Sequence, residues 1–347
     1  MTPIFMSVLR RAAPLILGLA ALAMTPAQAY SQLYVFGDSL SDVGNDLLVT
    51  GGAVPNTTYY SGGGISGRFS NGLNYADHLA TGLGLAPLLP SVQGGTAYAF
   101  GGARMDSVTA GLPPTALSFN QQIAAYGSNH ALADPDALYV LWIGANNLRD
   151  GLTAAAQGNP GAVGTAITTV LGGLGSAIQN LAGRGASHFL IPNMPDLSLT
   201  PAVRAFNNAT ISAGAHNASI AFNNALGGVL MQAQAAGLDI RSFDVFALQT
   251  ATTANPAAYG YSNVGSACYS GDVDGSALGG APLTLCANPQ QYLYFDYIHP
   301  TAALHAQLGA AALMAATAAV PEPASWLLMA LGLAWLISRR HAGRRQA

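Results

Sequence analysis

Lysine is absent from this chain of 347 residues, and charged residues make up only 8% of it. A soluble domain averages about 25%, so surface polarity must come mainly from Asn, Ser, Thr, Gln and the backbone. Between residues 30 and 319 there are six arginines and fourteen aspartates, a formal charge of −8. Nucleic acid is therefore excluded as an expected partner, because its phosphates are bound by clustered Lys and Arg.

Cysteine is nearly absent as well. The only two, Cys268 and Cys286, lie in one Gly/Ser-rich loop without a neighbouring His, whereas a zinc site needs four ligands. The same loop contains "GDVDGS" (271–276), which lacks the spacing and the closing Glu of a calcium loop and is interpreted as a turn. We expect no metal and no cofactor, and we predict a Cys268–Cys286 disulfide if the protein is exported.

Residues 1–29 have the three parts of a secretory signal peptide. Arg10 and Arg11 precede an apolar run over residues 12–24, and Ala27-Gln28-Ala29 matches a cleavage box. A buried N-terminal helix is the alternative.

Residues 320–347 form a second sorting candidate. Pro321-Glu322-Pro323 is followed by an apolar stretch over residues 324–337 and by four arginines. The stretch is shorter than the ~20 residues that span a bilayer, and the arginines favour the cytoplasmic side. This tail resembles the PEP-CTERM sorting signal of Gram-negative bacteria. The resemblance implies transient insertion into the inner membrane, recognition by an exosortase-type enzyme, and display or release outside the cell; a plain tail anchor is the alternative.

Between these ends, residues 30–319 alternate strand-like and helix-like segments. Three of the strand-like runs are almost continuously apolar, as in strands buried on both faces of a parallel sheet. The alternation predicts a doubly wound α/β domain. The predicted strands are 33–36, 96–100, 137–143, 188–192 and 238–243, and the predicted helices are 71–82, 119–126, 161–183, 201–236 and 301–316.

One serine follows the first strand in "VFGDSLSD". Ligands of doubly wound sheets bind beyond the carboxyl ends of the strands, which is where Ser39 is expected. Ser39 is a candidate nucleophile if a base reaches it. A helix-capping serine in a βα turn is the alternative.

The candidate base is His299 in "DYIHPT", because Asp296 three residues earlier can hold one imidazole nitrogen while the other points at Ser39. His341 belongs to the tail. The remaining histidines have no fixed acid partner in the sequence and are expected to be packing or surface residues: His78, His130, His188, His216 and His305.

Four segments together resemble the GDSL (SGNH) hydrolase family: "FGDSLSDVGN", "AYAFGGA", "WIGANN" and "DYIHPT", in family order over most of residues 32–316. "SGRFSNGLNYADHLA" is similar to the secreted lecithinase/hemolysin-type branch. The resemblance implies a three-layer α/β/α sandwich with a five-stranded, flavodoxin-like parallel sheet. It also implies a Ser39-His299-Asp296 triad and an oxyanion hole made by the Ser39 amide, the Gly101 amide and the Asn146 side chain. Asn147 stands where the family commonly has Asp.

The predicted function is therefore that of an exported serine hydrolase that cleaves carboxylic esters of a lipid or an acylated glycan through an acyl-enzyme. Two alternatives use the same site, a polysaccharide O-deacetylase and a phospholipid acyltransferase. A third is a non-catalytic surface or biofilm-matrix protein. Acyl chain length and oligomeric state stay open at this stage.

Overall fold

A computed structural model describes residues 30–278 and 282–318, together with Gly332 and Trp335. Residues 30–316 form one compact body. The predicted signal peptide of residues 1–29 and, apart from those two residues, the sorting segment of residues 320–347 lie outside the described residues.

Strands and helices alternate along the described part of the body. The strands are β1 (Leu33–Gly37), β2 (Ser61–Gly62), β3 (Ile65–Ser66), β4 (Leu138–Trp142), β5 (His188–Leu190), β6 (Asp239–Arg241), β7 (Asn263–Ala267) and β8 (Tyr292–Tyr294). The α-helices are α1 (Asn45–Val49), α2 (Tyr75–Gly82), α3 (Phe119–Asn129), α4 (Ala145–Ala156), α5 (Ala162–Gly183), α6 (Pro201–Arg204), α7 (Ala209–Ala235), α8 (Val245–Ala254) and α9 (Ala302–Thr317).

The central sheet has four parallel strands in the order β1-β4-β5-β6. The predicted fifth strand, 96–100, lies beside β1, with which it forms the isolated bridge of Val35 and Ala97 and one further hydrogen bond, from the Phe100 amide to the Gly37 carbonyl. Ala97 also exchanges two backbone hydrogen bonds with residues 89 and 91. The segment thus pairs on both sides, with β1 and with residues 89–91, through isolated bridges and not through a continuous ladder.

Side chains of β1 and β4 alternate between the two faces of the sheet, as the two-residue period of a strand requires. Tyr34, Phe36 and Tyr139 point into a core formed with α3, α4, α5 and α7. Val35 and Val140 point into a second core formed with α2, α8 and α9. The prediction of a three-layer α/β/α sandwich with a parallel central sheet is confirmed, with four strands instead of five.

The predicted helix over residues 201–236 is divided into α6 and α7. Asn207 between them has a φ of 45°, a left-handed conformation that Asn tolerates better than most residues. The Asn208 side chain then accepts hydrogen bonds from the amides of Thr210 and Ile211 and starts α7. The sequence did not predict three of the described helices, α1, α4 and α8, which have 5, 12 and 10 residues.

One described helix, α5, is long and apolar enough to cross a membrane by length and composition. Its apolar residues recur with helical spacing, and Ile167, Leu174 and Leu181 are buried in the first core between the sheet and the neighbouring helices. One face of α5 therefore packs in the core of the body.

A small aromatic cluster closes one end of the body. Tyr60, Tyr269 and Phe295 are fully buried there and pack edge-on or stacked against one another. The structure contains a disulfide between Cys268 and Cys286 that borders this cluster. The cluster joins the 50–60 segment to the strand pair of β7 and β8.

Candidate active site

Ser39 lies two residues beyond β1, at the carboxyl edge of the sheet. Gly37, the last residue of β1, has no room for a side chain because a Cβ would collide with the carbonyl oxygen of Trp142 on β4. The Gln122 side chain holds the turn: it donates to the Gly37 carbonyl (2.8 Å) and accepts from the Gly37 amide (2.9 Å). The chain thus leaves β1 in a fixed direction that presents the Ser39 hydroxyl.

Asp296 and His299 lie on a tight turn between β8 and α9. The Asp296 Oδ1 atom accepts hydrogen bonds from the amides of Ile298 (2.8 Å) and His299 (2.7 Å), which is the turn that an Asx side chain stabilises. The Ser70 hydroxyl donates to the carbonyl of Pro300, the residue that follows His299 (2.9 Å). Both flanks of His299 are therefore held by side chains.

The structure brings Ser39, His299 and Asp296 together in one hydrogen-bonded chain. The distance from Ser39 Oγ to His299 Nε2 is 2.8 Å, and that from His299 Nδ1 to Asp296 Oδ2 is 2.6 Å. An ionised carboxylate can only accept, so the proton lies on Nδ1 and leaves Nε2 to accept from the hydroxyl. This arrangement can take a proton from Ser39 as the hydroxyl attacks an electrophile.

Tyr60 is a member of the site that sequence reasoning missed. Its hydroxyl donates to Asp296 Oδ2 over 2.6 Å, and it is 0% exposed. Burial by itself raises the pKa of Asp296, but the charge of His299 and the hydrogen bonds from His299, Tyr60 and Ile298 outweigh it and hold the pKa below its usual value. No sequence signal could have found Tyr60, which is 236 residues from its partner.

Two of the three predicted oxyanion donors are available in this geometry. The Ser39 amide has no acceptor among the described residues. Asn146, in the first turn of α4, donates one amide hydrogen to the Ala103 carbonyl (3.0 Å), and the described residues offer no partner to the second. Both groups face the cavity that contains His299.

The Gly101 amide differs from the expectation. It donates to Asp42 Oδ2 over 3.1 Å and is therefore occupied. The next amide, that of Gly102, has no acceptor within the described part of the chain and lies on the same cavity. Gly101 is required for another reason, since a Cβ there would collide with the Phe69 ring and the Asp46 carboxyl. The assignment of Gly101 as an oxyanion donor is thus corrected.

Asn147 has a structural role here. Its side-chain oxygen accepts a hydrogen bond from the Met105 amide over 3.1 Å. The replacement of the family's common Asp by Asn therefore keeps an acceptor at this position.

Two buried carboxyl groups, Asp42 and Asp46, lie behind the site. Asp42 accepts from the amides of Gly44, Asn45, Asp46 and Gly101. Neither carboxyl oxygen of Asp46 has a hydrogen-bond partner. Burial, and then the charge of Asp42, raise the pKa of Asp46, so Asp46 holds the proton of this pair at neutral pH.

Two cavities meet at Ser39 and His299. The first has a volume of about 60 Å³ and mostly apolar walls, which include Trp142, Leu304 and Leu308. The second has a volume of about 440 Å³ and polar walls, which include the ion pair of Arg104 and Asp150 and the carboxyl groups of Asp46, Asp272 and Asp274. Asn146 and Arg149 line both.

Two other His–Asp pairs correct the sequence interpretation of the remaining histidines. His188 Nδ1 lies 2.9 Å from Asp239 Oδ2, and His216 Nδ1 lies 2.6 Å from Asp196 Oδ2. Both partners come from distant parts of the chain, so spacing could not reveal them. Neither pair bonds to Ser39. Within the described residues no group of three or more His, Cys, Asp or Glu side chains could hold a metal ion.

Comparison with protein families gives two matches. The family described as GDSL-like Lipase/Acylhydrolase matches residues 33–312. The PEP-CTERM protein-sorting motif matches residues 319–345 and indicates export and sorting in Gram-negative bacteria.

Individual relatives vary in activity. The chain is 35% identical over 194 residues to Lipase 1 of Photorhabdus luminescens. The aligned region makes up 56% of this chain and only 27% of that protein. It is 25% identical to the phosphatidylcholine-sterol acyltransferase of Aeromonas hydrophila, over 84% of this chain and 93% of the relative. It is also 25% identical to the inactive GDSL esterase/lipase-like protein 25 of Arabidopsis thaliana, over 80% and 69%.

Proposed function

Because the chain belongs to the GDSL-like lipase/acylhydrolase family, we propose that it is a carboxylic ester hydrolase in which Ser39 is the nucleophile, His299 the general base and Asp296 its orienting partner. The observation that carries this proposal is the unbroken hydrogen-bonded chain from Ser39 Oγ through the imidazole to Asp296 Oδ2. All three side chains are less than 10% exposed, which excludes bulk water from the proton path.

In the proposed reaction, Ser39 Oγ forms a bond to the ester carbonyl carbon while its proton passes to His299 Nε2. The negative charge that develops on the carbonyl oxygen is met by the Ser39 amide, the Asn146 side chain and, in place of Gly101, the Gly102 amide. The imidazolium then gives its proton to the departing alcohol. Water repeats both steps on the acyl-enzyme and releases the acid.

The acyltransferase alternative differs only in the last step, where an alcohol would replace water. The similarity to the Aeromonas acyltransferase favours keeping this alternative. The non-catalytic alternative is disfavoured because Ser39, His299 and Asp296 are all retained and hydrogen-bonded to one another.

The tail supports a proposal about processing. We expect removal of residues 1–29 at the Ala29–Tyr30 bond, and recognition of the residue 320–347 segment by an exosortase-type enzyme that removes it. Mass spectrometry of protein recovered outside the cell should find an N-terminus at Tyr30 and no peptide beyond the 321–323 region. Recovery of peptides containing Arg344 from that protein would contradict the removal.

The activity is tested with p-nitrophenyl acetate. Ser39→Ala should lower kcat by several orders of magnitude, and the Ser39→Ala/His299→Ala double variant should be little worse, since the two act as a unit. Ser128→Ala, an exposed serine on α3, is the matched control and should retain full activity. Undiminished hydrolysis by Ser39→Ala would refute the proposed function.

A further inference from the structure

The apolar cavity limits the acyl group. Its volume is about 60 Å³, which at the roughly 10–15 Å³ of one water-sized probe leaves room for about four to six non-hydrogen atoms. Leu304 and Leu308 in its wall are 4% and 2% exposed and belong to the second core. Because these residues are close-packed, the wall does not yield to a longer chain without cost.

The polar cavity is about seven times as large, at about 440 Å³ against about 60 Å³, and lies in the size range of sites that bind organic ligands. Asp272 and Asp274 on its rim are exposed and accept the backbone amides of Val273 and Ser276 with one oxygen each. An ionised carboxylate has about four acceptor positions. Both groups therefore keep acceptor capacity for hydroxyl groups of a ligand.

The buried carboxyl group of Asp46 distinguishes this cavity from an ordinary cluster of surface carboxylates. It lines the cavity, it is 0% exposed, and neither of its oxygens has a partner. A buried carboxyl group without partners is costly unless a ligand satisfies it.

We propose that the substrate is a short-chain acyl ester of a glycan, in which the apolar cavity binds the acyl group and the polar cavity binds the sugar. This inference rests on the proposed ester hydrolysis and assigns its substrate class. A phospholipid fits less well for two reasons. A fatty acyl chain exceeds the apolar cavity, and the phosphate would face the carboxylates of Asp150, Asp272 and Asp274 against only two guanidinium groups, those of Arg104 and Arg149.

In the first experiment, the mature protein is given four substrates: acetylated xylan, two p-nitrophenyl esters and phospholipid vesicles. Acetate release from acetylated xylan is expected, p-nitrophenyl butyrate should be turned over at least about tenfold faster than p-nitrophenyl octanoate, and vesicles of dipalmitoyl phosphatidylcholine should release no fatty acid. Fatty acid release that exceeds acetate release would overturn the glycan assignment while ester hydrolysis stands. Failure to turn over p-nitrophenyl acetate would instead overturn the proposed function.

The second experiment assigns the two cavities. Asp272→Asn/Asp274→Asn should raise KM for acetylated xylan about tenfold more than it raises KM for p-nitrophenyl acetate, as expected for the loss of hydrogen bonds to charged groups. The matched control Asp136→Asn, an exposed aspartate on the segment before β4, should leave both values unchanged. Equal effects of the double variant on the two substrates would overturn the assignment of the polar cavity.

Leu308→Ala tests the apolar cavity. Removal of this side chain should enlarge the cavity and raise the ratio of octanoate to butyrate turnover. An unchanged ratio in a folded variant, judged by its circular dichroism spectrum, would show that the acyl chain lies elsewhere.

Discussion

Replacement of Tyr60 by Phe removes one hydroxyl group. It should lower the free energy of unfolding, because Asp296 loses a hydrogen bond. The bond from Tyr60 to Asp296 Oδ2 is 2.6 Å long, its acceptor is ionised, and both residues are buried. Hydrogen bonds to charged groups contribute about 1.5–3 kcal/mol. The Phe ring keeps the edge-on contact with Phe295 at 5.0 Å, so packing changes little. We expect a loss of about 2 kcal/mol in the free energy of unfolding.

The loss of unfolding free energy in Tyr60→Phe should become smaller as the pH falls. The pKa of Asp296 in the folded protein is below its usual value, so its stabilising effect is present above the unfolded pKa of about 4 and is lost as the pH falls through the folded pKa. Tyr60 is one of the groups that lower this pKa. The difference between wild type and Tyr60→Phe should therefore be full near pH 7 and shrink as the solution becomes strongly acidic.

Urea unfolding of both proteins at pH 7 and at pH 3 measures this difference. Tyr59→Phe is the matched control: Tyr59 stacks on Tyr269 at 4.4 Å, and no described residue accepts a hydrogen bond from its hydroxyl. This control should change stability by less than about 0.5 kcal/mol. Equal losses for the two variants at pH 7 would refute the reasoning. Tyr60→Phe should also lower kcat with little change in KM, because Asp296 acts on His299 and not on the substrate.

Three other changes test separate parts of the structure. Asn146→Ala should lower kcat on p-nitrophenyl acetate by about 10²–10³ with little change in KM, because one oxyanion donor is lost; unchanged kcat would make Asn146 structural. Asp46→Asn should become more stable relative to wild type as the pH rises from 5 to 8, by at most about 1.4 kcal/mol per pH unit. The reason is that the folded wild-type protein keeps a proton on Asp46 that the unfolded chain releases. A difference in urea unfolding that does not change with pH would contradict this. Reduction of the Cys268–Cys286 bond, which spans 18 residues, should cost about 3 kcal/mol in urea unfolding; no change would show that the loop is held by other contacts.

The sequence predicted the parallel sheet and the grouping of Ser39, His299 and Asp296 because both leave local signals. Apolar runs mark buried parallel strands, and the positions of Ser39 after β1 and of His299 beside Asp296 follow from spacing alone. The count of five strands is not confirmed, because residues 96–100 lie beside β1 as their pattern predicts but pair through isolated bridges on both sides and not through a continuous ladder. An apolar run predicts that a segment is buried and does not show how regular its pairing is.

The parts of the site that the sequence missed depend on contacts between distant segments. Tyr60 reaches Asp296 across 236 residues, and the Gly101 amide is taken by Asp42 across 59. The motif "AYAFGGA" located a turn that lines the polar cavity, and the Asp42 side chain takes one of its two successive amides, that of Gly101. The two cavities likewise combine residues from loops and helices that no single motif contains.

The nucleophile and its base come from opposite ends of the body, 260 residues apart, and the last helix is tied back to the first residue by the bond from the Tyr30 hydroxyl to the Ala316 carbonyl (2.9 Å). A chain that emerges from the ribosome or passes through a translocation pore exposes Ser39 first and His299 nearly last. Until that final segment arrives, Ser39 is an ordinary alcohol without a base. In the proposed mechanism, the hydrogen-bonded chain of Ser39, His299 and Asp296 therefore forms only when folding brings the two ends of the body together.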